Sequence, residues 1–521
     1  MSYRLGVDVG GTNTDAVLLN DKLELIASVK VPTTKEVSTG IFEAIRLVLQ
    51  KVDINKDDIK HAMLGTTQCT NAIVERKRLC KVGIIRIGRP ATLSIEPMAD
   101  WPEDLKKVVS ENFFIIKGGY EFDGKEISQL DIEEVKGVAR KLKGKVDSIA
   151  ITCVFSPVRS DHERQVAAIL GEELGEDIFI SLSNKVSSMG LLERENSVIL
   201  NAALMKVAKA TAEGFKKGLK EAGIRKAEIY LCQNDGTLMS IEYAQKYPIL
   251  TVACGPTNSI RGASFLSNKD NSIVVDIGGT TTDIGIIVNR FPRESLLAAD
   301  IGGVRTNFRM PDIISIGLGG GSIIRELDGE VKIGPDSVGY RLTKEALVFG
   351  GETLTATDIA VRLGFVKIGD PSKVKQIEEE FAKRVYKKMI AIIASGIDKM
   401  KLSAKSVPVV LVGGGGILIA DSSDIEGVSN IIKPNNYPVA NAIGASIAQA
   451  SGMFERVFVL EGITRDDAIK IAKDTAVNEA IAAGANPSAV EIVDIEDVPL
   501  AYHPGNATRI KVKAAGDLKG I

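Results

Sequence analysis

The feature that most constrains this chain is a hairpin sequence that occurs twice, 268 residues apart. The segment GVDVGGTNTDAVLL at residues 6–19 and the segment VVDIGGTTTDIGII at residues 274–287 share seven of fourteen residues. In each copy, an apolar run meets a Gly-Gly turn and a second apolar run follows, which predicts two antiparallel strands. Two matched units so far apart in one chain predict two domains of similar fold.

The residues in these turns are suited to holding a phosphate chain. Glycine lets backbone N–H groups approach a ligand closely, and threonine adds a hydroxyl donor. The aspartate just before each glycine pair, Asp8 or Asp276, could hold a hydrated Mg2+, since this ion takes few carboxylates. Ordinary hairpin turns are the alternative, but a matched pair favours phosphate binding. The predicted phosphate-binding residues are Gly10, Gly11, Thr12, Asn13, Gly278, Gly279, Thr280 and Thr281.

Two further glycine clusters lie in the second half of the chain. Four glycines at residues 413–416 follow an apolar run, whereas a structural turn needs only one or two. This cluster predicts a surface on which a base or ribose lies flat, formed by Gly413, Gly414 and Gly415. The cluster at residues 317–322 has two interpretations, because it could cap a helix or lie against a ligand.

Alternating strands and helices predict an α/β fold in which helices cover a sheet. The amphipathic stretch 195–222 predicts one long connecting helix, and the residues after 453 predict a small α+β appendage. The predicted strands lie at residues 82–87, 146–154, 178–182, 457–460, 490–493 and 508–512. The predicted helices lie at residues 37–52, 130–142, 161–174 and 465–483.

Length, charge and cysteine usage exclude several classes of protein. A chain of 521 residues is expected to form two or more domains, and a formal charge of -2 favours neither nucleic acid nor an anionic membrane as partner. The longest apolar stretch, residues 407–420, has 14 residues against the ~20 that a bilayer requires. Five cysteines without a C-x-x-C pair and a start without a signal peptide predict a cytoplasmic protein.

Some residues that could suggest chemistry instead predict structural roles. Residues 119–125 have the spacing of a P-loop, but Glu126 stands where that motif requires a hydroxyl residue, so a turn is predicted. Three histidines lack the close spacing of a metal site, and for His61 and His162 solvated or structural roles are predicted. The third histidine is His503.

Taken together, the motifs resemble the hydantoinase/oxoprolinase family, specifically its ATP-binding A subunit, within the actin-like ATPase superfamily. The resemblance rests on GVDVGGTNTD at 6–15, GTTQCTNAIVERK at 65–77, VVDIGGTTTD at 274–283 and IGLGGGSI at 316–323, supported by TATD at 355–358 and VANAIGA at 439–445. It implies an α/β protein of actin-like ATPase fold, with two ribonuclease H-like domains around a nucleotide cleft. The implied division is an N-terminal domain at 1–195, a second actin-like domain at 196–452 and the α+β appendage at 453–521.

The resemblance also implies roles for individual residues. Asp8 and Asp276 would hold Mg2+, while the two hairpin turns and the glycines at 413–415 would bind ATP. Asp15 and Asp283 would orient the turns or polarise a reacting oxygen. The threonine-rich loop that would lie beside the substrate carbonyl comprises Thr66, Thr67, Thr70 and Asn71. The implied catalytic residues are Asp8, Asp15, Asp283, Thr66 and Thr67.

Members of this family use ATP to open or carboxylate small carbonyl compounds. The resemblance therefore implies a hydrolase subunit that opens a small cyclic amide, such as a hydantoin, 5-oxoproline or a related lactam, by phosphorylating its carbonyl oxygen. It also implies a B-type partner subunit and is compatible with a homo-oligomer, with neither nucleic acid nor membrane as partner. Three alternatives stay open: a small-molecule kinase, a ketone carboxylase subunit of the same fold, and a nucleotide-switched scaffold.

Overall fold

A computed structural model gives the structure of residues 2–33, 37–175, 177–187, 189–295, 299–308, 310–421, 424–500 and 506–519. The strands, in chain order, are β1 (Tyr3–Val9), β2 (Asn13–Asn20), β3 (Leu25–Pro32), β4 (Ile59–Thr66), β5 (Val82–Arg89), β6 (Asn112–Lys117), β7 (Ser148–Cys153), β8 (Phe179–Leu182), β9 (Glu228–Cys232), β10 (Leu238–Ser240), β11 (Ser272–Ile277), β12 (Thr282–Val288), β13 (Phe291–Pro292), β14 (Ala299–Ile301), β15 (Val304–Thr306), β16 (Ile313–Ile316), β17 (Ser322–Leu327), β18 (Glu330–Ser337), β19 (Val407–Val412), β20 (Val428–Ile432), β21 (Ala450–Val459), β22 (Glu491–Leu500) and β23 (Ala507–Gly516). The α-helices are α1 (Val37–Gln50), α2 (Gln68–Val74), α3 (Glu103–Val109), α4 (Ile132–Leu142), α5 (Asp161–Leu174), α6 (Ser183–Val186), α7 (Leu191–Ala203), α8 (Met205–Glu221), α9 (Ile241–Lys246), α10 (Cys254–Ser267), α11 (Leu342–Glu345), α12 (Ala356–Arg362), α13 (Glu379–Met400), α14 (Ala440–Ile447) and α15 (Arg465–Ala482).

The two copies of the repeated sequence begin two separate sheets. In the first lobe, β1 runs antiparallel to β2 and parallel to β4. In the second lobe, β11 runs antiparallel to β12 and parallel to β19 in the same way. The predicted actin-like ATPase fold, with two similar α/β lobes, is therefore confirmed. One consequence is that the threonine-rich loop after β4 and the four glycines after β19 hold equivalent places in the two lobes.

The first sheet has the order β22-β23-β21-β10-β9-β4-β1-β2-β3, so it collects strands from distant parts of the chain. Strands β9 and β10 come from the predicted second range, 196–452, and β22 and β23 come from the predicted appendage. Strand β21 pairs with β10, which covers an edge that would otherwise expose unpaired backbone groups. The sheets thus group the strands differently from the three predicted linear ranges.

Residues between β4 and β9 form an inserted α/β unit with its own parallel sheet, in the order β6-β5-β7-β8. This unit follows the predicted alternation of strands and helices. The predicted single helix at residues 195–222 is instead two helices, α7 and α8. They separate at Leu204. Next to this break, the Ala203 carbonyl accepts the N–H of Cys80, near the start of the insert, over 2.8 Å. Tertiary contact therefore ends the first helix where periodicity alone would continue it.

A β-arm of the second lobe reaches the inserted unit. Residues 293–295 pair with residues 310–312, which extends the arm beyond the second sheet. At its tip, the hairpin β14–β15 buries Ile301, Val304 and Phe308 in the same hydrophobic core as Trp101 of the insert. This apolar contact ties the second lobe to the first-lobe side of the molecule.

The residues predicted to have structural roles have such roles where the structure describes them. The near P-loop is a turn, in which the Glu121 N–H donates to the Lys125 carbonyl over 2.7 Å. His61 and His162 are both buried, and His162 Nδ1 accepts the Gly119 N–H over 3.1 Å. His503 lies outside the described residues. No helix in the described ranges is both long enough and apolar enough to cross a membrane.

The lobes meet through two crossed helices. Helix α10 packs on β11, β12 and β19 of the second lobe, and α14 packs on β1, β2 and β4 of the first. The crossing is close because glycines face backbone. A methyl group at Gly444 would overlap the Asn258 carbonyl oxygen, and one at Gly262 would overlap the Ala440 carbonyl oxygen. Only glycine lets the two backbones approach this closely.

We expect Gly444→Ala to lower the melting temperature clearly, because overpacking of this kind costs about 1–3 kcal/mol. The matched control is Gly171→Ala in α5, where a methyl group would meet nothing within 4 Å. That change should leave the melting temperature equal or slightly higher, because alanine favours a helix by up to about 1 kcal/mol over glycine. Thermal melts of both variants check the prediction. Equal melting temperatures for Gly444→Ala and the wild type would show that the crossing tolerates a side chain.

Candidate nucleotide and metal site between the hairpins

The two Gly-Gly hairpins have the same turn geometry. The Gly10 N–H donates to the Asn13 carbonyl over 3.0 Å, and the Gly278 N–H donates to the Thr281 carbonyl over 2.8 Å. Pairing between the strands places Asp8 opposite Asp15, and Asp276 opposite Asp283. The sequence repeat is therefore also a structural repeat, with one carboxylate on each strand beside the turn.

The tips of the hairpins meet across the two lobes. Thr12 Oγ1 lies 3.3 Å from Thr280 Oγ1. A methyl group at Gly279 would come within 2.6 Å of Thr12 Oγ1, whereas one at Gly11 would meet nothing within 4 Å. The structure thus brings together the turns predicted to grip one phosphate chain, and the backbone at Gly11 stays open to a ligand.

Asp8, at the first hairpin, is a buried carboxylate that is only 4% exposed. Its Oδ1 accepts from Asn258 Nδ2 over 3.3 Å and its Oδ2 accepts from Asn441 Nδ2 over 2.9 Å. Asn441 Nδ2 also donates to Asp15 Oδ2 over 2.9 Å. Burial, with the negative charge of Asp15 added, raises the pKa of Asp8 from its ordinary value of 3.8 to about 7.

The second hairpin repeats this arrangement with hydroxyl partners. The Ser259 side chain donates to Asp276, whose pKa is nevertheless raised, chiefly by burial. The Ser315 hydroxyl donates to Asp283, and burial raises the pKa of Asp283 to about 7, with the charge of Asp276 adding to the effect. The carboxylates of both lobes therefore lie in surroundings where negative charge is poorly compensated.

These groups fit a magnesium ion. In the part of the chain that the structure describes, no three His, Cys, Asp or Glu side chains form a ready metal cluster. Mg2+ needs no such cluster, because it keeps several waters and binds through one or two carboxylates together with phosphates. Asp8 and Asp276 approach each other closely enough that the charge of Asp276 raises the pKa of Asp8. A cation between them would relieve this repulsion.

The glycines after β19 pack directly on the second hairpin. A methyl group at Gly413 would overlap the Asp276 carboxylate, and one at Gly415 would come within 2.5 Å of the Gly278 carbonyl oxygen. A cavity of about 550 Å³ lies beside this turn, lined by Asp421, Ile431, Lys433, Tyr437 and neighbouring residues. The Gly413 N–H donates to the Tyr437 carbonyl over 3.0 Å, so the glycine turn contacts one residue of the cavity lining.

The cluster at residues 317–322, left open by the sequence, braces the second hairpin from behind. The Gly320 N–H donates to the Gly278 carbonyl over 3.0 Å, and the Gly321 N–H donates to the Gly279 carbonyl over 2.7 Å. The TATD segment continues this support, because the Thr357 hydroxyl donates to the Gly320 carbonyl over 2.8 Å. These residues hold the turn in place, and the Gly320 carbonyl also accepts the Thr357 N–H from the first turn of α12 over 3.0 Å.

The threonine-rich loop after β4 lies beside the first hairpin. The Thr67 hydroxyl donates to the Val9 carbonyl over 3.3 Å, and Thr66 Oγ1 accepts the Gln68 N–H over 3.3 Å. Thr70 Oγ1 accepts the Ala253 N–H over 3.2 Å, just before α10 begins. The loop is thus fixed between hairpin and helix, while the predicted contact of Thr66 and Thr67 with a substrate carbonyl stays a prediction.

The sequence prediction missed the polar residues that hold the carboxylates. Asn441 lies within the VANAIGA segment, but nothing local assigns it a role. Asn258 and Ser259 are buried polar residues on α10, and such residues are uncommon without a partner. Lys30 on β3 carries no local signal at all. The complete list of missed residues is Lys30, Asn258, Ser259, Ser315 and Asn441.

Two models of protein families match this chain. The family model described as "Hydantoinase/oxoprolinase N-terminal region" matches residues 4–174, and the one described as "Hydantoinase/oxoprolinase" matches residues 194–370. Among curated relatives, the 5-oxoprolinase of Saccharomyces cerevisiae is 25% identical over 75% of this chain and 34% of its own length. The acetophenone carboxylase gamma subunit of Aromatoleum aromaticum is 25% identical over 70% of this chain and 53% of its own length.

The chain therefore spans about half, or less, of the length of these two relatives. The crystal structure of the ATP-dependent caprolactamase from Pseudomonas jessenii shares the fold, with a TM-score of 0.76 at 19% identity over 99% of this chain and 88% of that one. Together, the two family models match more than half of the sequence. The chain belongs to the hydantoinase/oxoprolinase family.

Proposed function

We propose that the protein uses ATP to open a small cyclic amide, such as a hydantoin, 5-oxoproline or a related lactam, by phosphorylating its carbonyl oxygen. The observation that carries this proposal is the meeting of the two hairpins, each with a Gly-Gly-Thr turn and an aspartate whose pKa is raised. Backbone N–H groups, hydroxyls and carboxylates at one point are what a Mg2+-bound phosphate chain requires. Membership of the hydantoinase/oxoprolinase family supports the choice of a carbonyl substrate.

The nucleotide has room on the second-lobe side of the hairpins. We assign the nucleoside to the cavity beside the glycines after β19, where the Tyr437 ring and the Lys433 ammonium lie 6.0 Å apart. The phosphates would then extend toward Thr12 and Thr280. The nucleoside would then lie on glycine backbone, which has no side chain in the way, and the phosphates would accept hydrogen bonds from backbone N–H groups.

Phosphoryl transfer in this site depends on positioning and charge. Asp8 and Asp276 would hold Mg2+, which supplies positive charge to the phosphate oxygens when bound. Thr12 and Thr280 would donate hydrogen bonds to the same chain. The bond between the terminal phosphorus and its bridging oxygen would break, ADP would leave, and the phosphoryl group would bond to the amide oxygen; water would then add to the carbon. The C–N bond breaks, the ring nitrogen leaves as an amine, and a second water cleaves the acyl phosphate to carboxylate and phosphate.

A partner subunit would supply the activation of water. The threonine-rich loop offers hydroxyls but contains no carboxylate or histidine. The carboxylate of Asp8, which pairs in register with Gly65 directly before this loop, is assigned to the metal. A B-type subunit next to this loop would complete the site. The similarity to the acetophenone carboxylase gamma subunit, which is named as a subunit of a larger enzyme, supports this proposal.

The second candidate is a subunit of an ATP-dependent ketone carboxylase. The similarity to the acetophenone carboxylase gamma subunit favours it, since phosphorylation of a ketone oxygen would use the same groups. The decisive experiment measures phosphate release with lactams, hydantoins, and ketones plus bicarbonate, with and without the product of the adjacent reading frame. Stimulation by a cyclic amide supports the proposal, and stimulation by ketone plus bicarbonate alone supports the carboxylase. A phosphorylated product that accumulates would show a kinase instead.

We expect Asp8→Ala and Asp276→Ala each to lower substrate-stimulated ATP turnover roughly 100-fold or more. Each change removes a carboxylate that would hold Mg2+ where negative charge develops on the phosphate chain. Asp53→Ala, which removes an exposed carboxylate after α1, is the matched control and should leave turnover unchanged. Steady-state phosphate release with Mg2+ checks the prediction. Turnover at the wild-type level in Asp8→Ala would contradict the proposed metal site.

The pKa of Asp8 predicts a pH dependence of stability in the absence of nucleotide. Because the folded state raises this pKa to about 7, the folded protein holds the Asp8 proton more tightly than the unfolded chain does. The stability gained from this proton is lost as pH rises through about 7. The free energy of unfolding of the wild type, relative to Asp8→Asn, should fall by about 2 kcal/mol from about pH 5 to about pH 8. Denaturant melts of both proteins across this range check it. A difference that is constant with pH would contradict the raised pKa.

A further inference from the structure

Lys30 on β3 lies where the first lobe faces the second, and the function proposed above gives it no role. We propose that Lys30 binds the part of the nucleotide phosphate chain nearest the nucleoside. This inference rests on the proposed ATP site and adds a specific contact to it. It is argued from three observations: the pairing of Lys30, its position against Gly414, and the charges around it.

The side chain of Lys30 is held at the base of the first hairpin. The strand register places Lys30 directly opposite Asp15, so both side chains point to the same face of the sheet. Lys30 Nζ lies 2.6 Å from Asp15 Oδ2 and 2.5 Å from Asp15 Oδ1. The side chain of Asp15 is 1% exposed and that of Lys30 is 29% exposed, so the ammonium lies between a buried carboxylate and the open cleft.

The same side chain reaches the second lobe. A methyl group at Gly414 would lie 3.6 Å from Lys30 Cε and 3.9 Å from Lys30 Nζ. The charge of Lys30 also lowers the pKa of Asp276, against the larger effect of burial. Lys30 therefore stands between the turn assigned to the nucleoside and the carboxylates assigned to the metal, which is where the phosphates nearest the nucleoside would pass.

Lys30 is also distinguished by the charges around it. In the described residues, it is the one Lys, Arg or His side chain within 4.0 Å of the carboxylates of Asp8, Asp15, Asp276 or Asp283. An ATP phosphate chain adds negative charge to this group, so the position of a cation there matters for binding.

A purely structural role, as the counter-ion of Asp15, would not require this placement. Asp15 already accepts a hydrogen bond from Asn441. An ammonium has three N–H donors, and Asp15 with its two oxygens leaves at least one of them for a phosphate oxygen. The flexible stem of lysine lets the ammonium adjust toward an arriving anion without breaking the pair.

The test measures the binding of adenosine, ADP and ATP, each with Mg2+, by isothermal titration calorimetry. For Lys30→Met we expect the affinities for ADP and ATP to fall about tenfold or more, because a charge-assisted hydrogen bond to phosphate is lost. The affinity for adenosine should stay within about twofold of the wild type. Lys30→Arg should recover most of the loss, because it restores the positive charge.

Two further variants separate binding from folding. Lys51→Met is the matched control, because Lys51 Nζ also contacts β3, at the Ser28 carbonyl over 2.7 Å, but on the exposed surface. It should bind all three ligands as the wild type does. The double variant Lys30→Met/Asp15→Asn removes the partner charge as well, so a folding defect caused by an unpaired Asp15 is avoided. It should show the same selective loss of ADP and ATP affinity.

Several results would overturn the inference. Wild-type affinities for ADP and ATP in Lys30→Met would show that Lys30 serves Asp15 alone. If Lys30→Met and the double variant lost as much affinity for adenosine as for ADP and ATP, the substitution would be acting on the fold of the cleft. Failure of the wild type to bind any of the three ligands would instead overturn the proposed ATP site itself, and the inference with it.

Discussion

The structure depends on carboxylates that two lobes hold against each other with little compensating charge. Asp8 in the first lobe and Asp276 in the second both have a raised pKa, and the charge of Asp276 adds to the raised pKa of Asp8 and of Asp283. A protein that only needed to fold would place neutral or paired residues here, because unpaired buried charge is destabilising. The arrangement becomes favourable when a cation binds, so the uncompensated negative charge is the basis of the proposed function.

The crossed helices make this arrangement sensitive to how the lobes are placed. Adjacent residues on α10 serve both lobes, since Asn258 donates to Asp8 and the Ser259 side chain donates to Asp276. Asn441 on α14 joins Asp8 to Asp15. Because glycines let the helices cross in direct backbone contact, a rotation of one lobe would move these hydrogen bonds together. Ligand binding between the hairpins and closure of the cleft are therefore expected to be coupled.

The sequence predicted the parts of the fold that rest on local pattern. The repeated Gly-Gly hairpin predicted two similar lobes because turn chemistry and strand alternation are encoded within a few residues. The bounds of α5 agree at both ends with the predicted helix at 161–174, which begins with acidic residues. The break at Leu204 was missed, because a contact with the distant Cys80 N–H decides it.

Long-range pairing explains what else the sequence did not predict. Strand β21 joins the first sheet beside β10, more than two hundred residues earlier in the chain, so linear ranges do not follow the sheets. At the candidate site, the turn geometry of the two aspartate and glycine sets was predictable because each set lies in one motif. Lys30 and Asn258 act on a carboxylate in another segment, and neither position has an unusual neighbour in sequence. A repeat in one chain can predict two half-sites, but the residues that complete them are visible only in the assembled fold.

One measurement addresses the proposed site between the two hairpins most directly: a crystal structure of the protein with Mg2+ and a non-hydrolysable ATP analogue. We expect the phosphates between the turns of Thr12 and Thr280, the metal ion at Asp8 and Asp276, and the nucleoside against Gly414. A nucleotide bound at one hairpin alone, or elsewhere in the molecule with the two tips still in contact, would contradict the account.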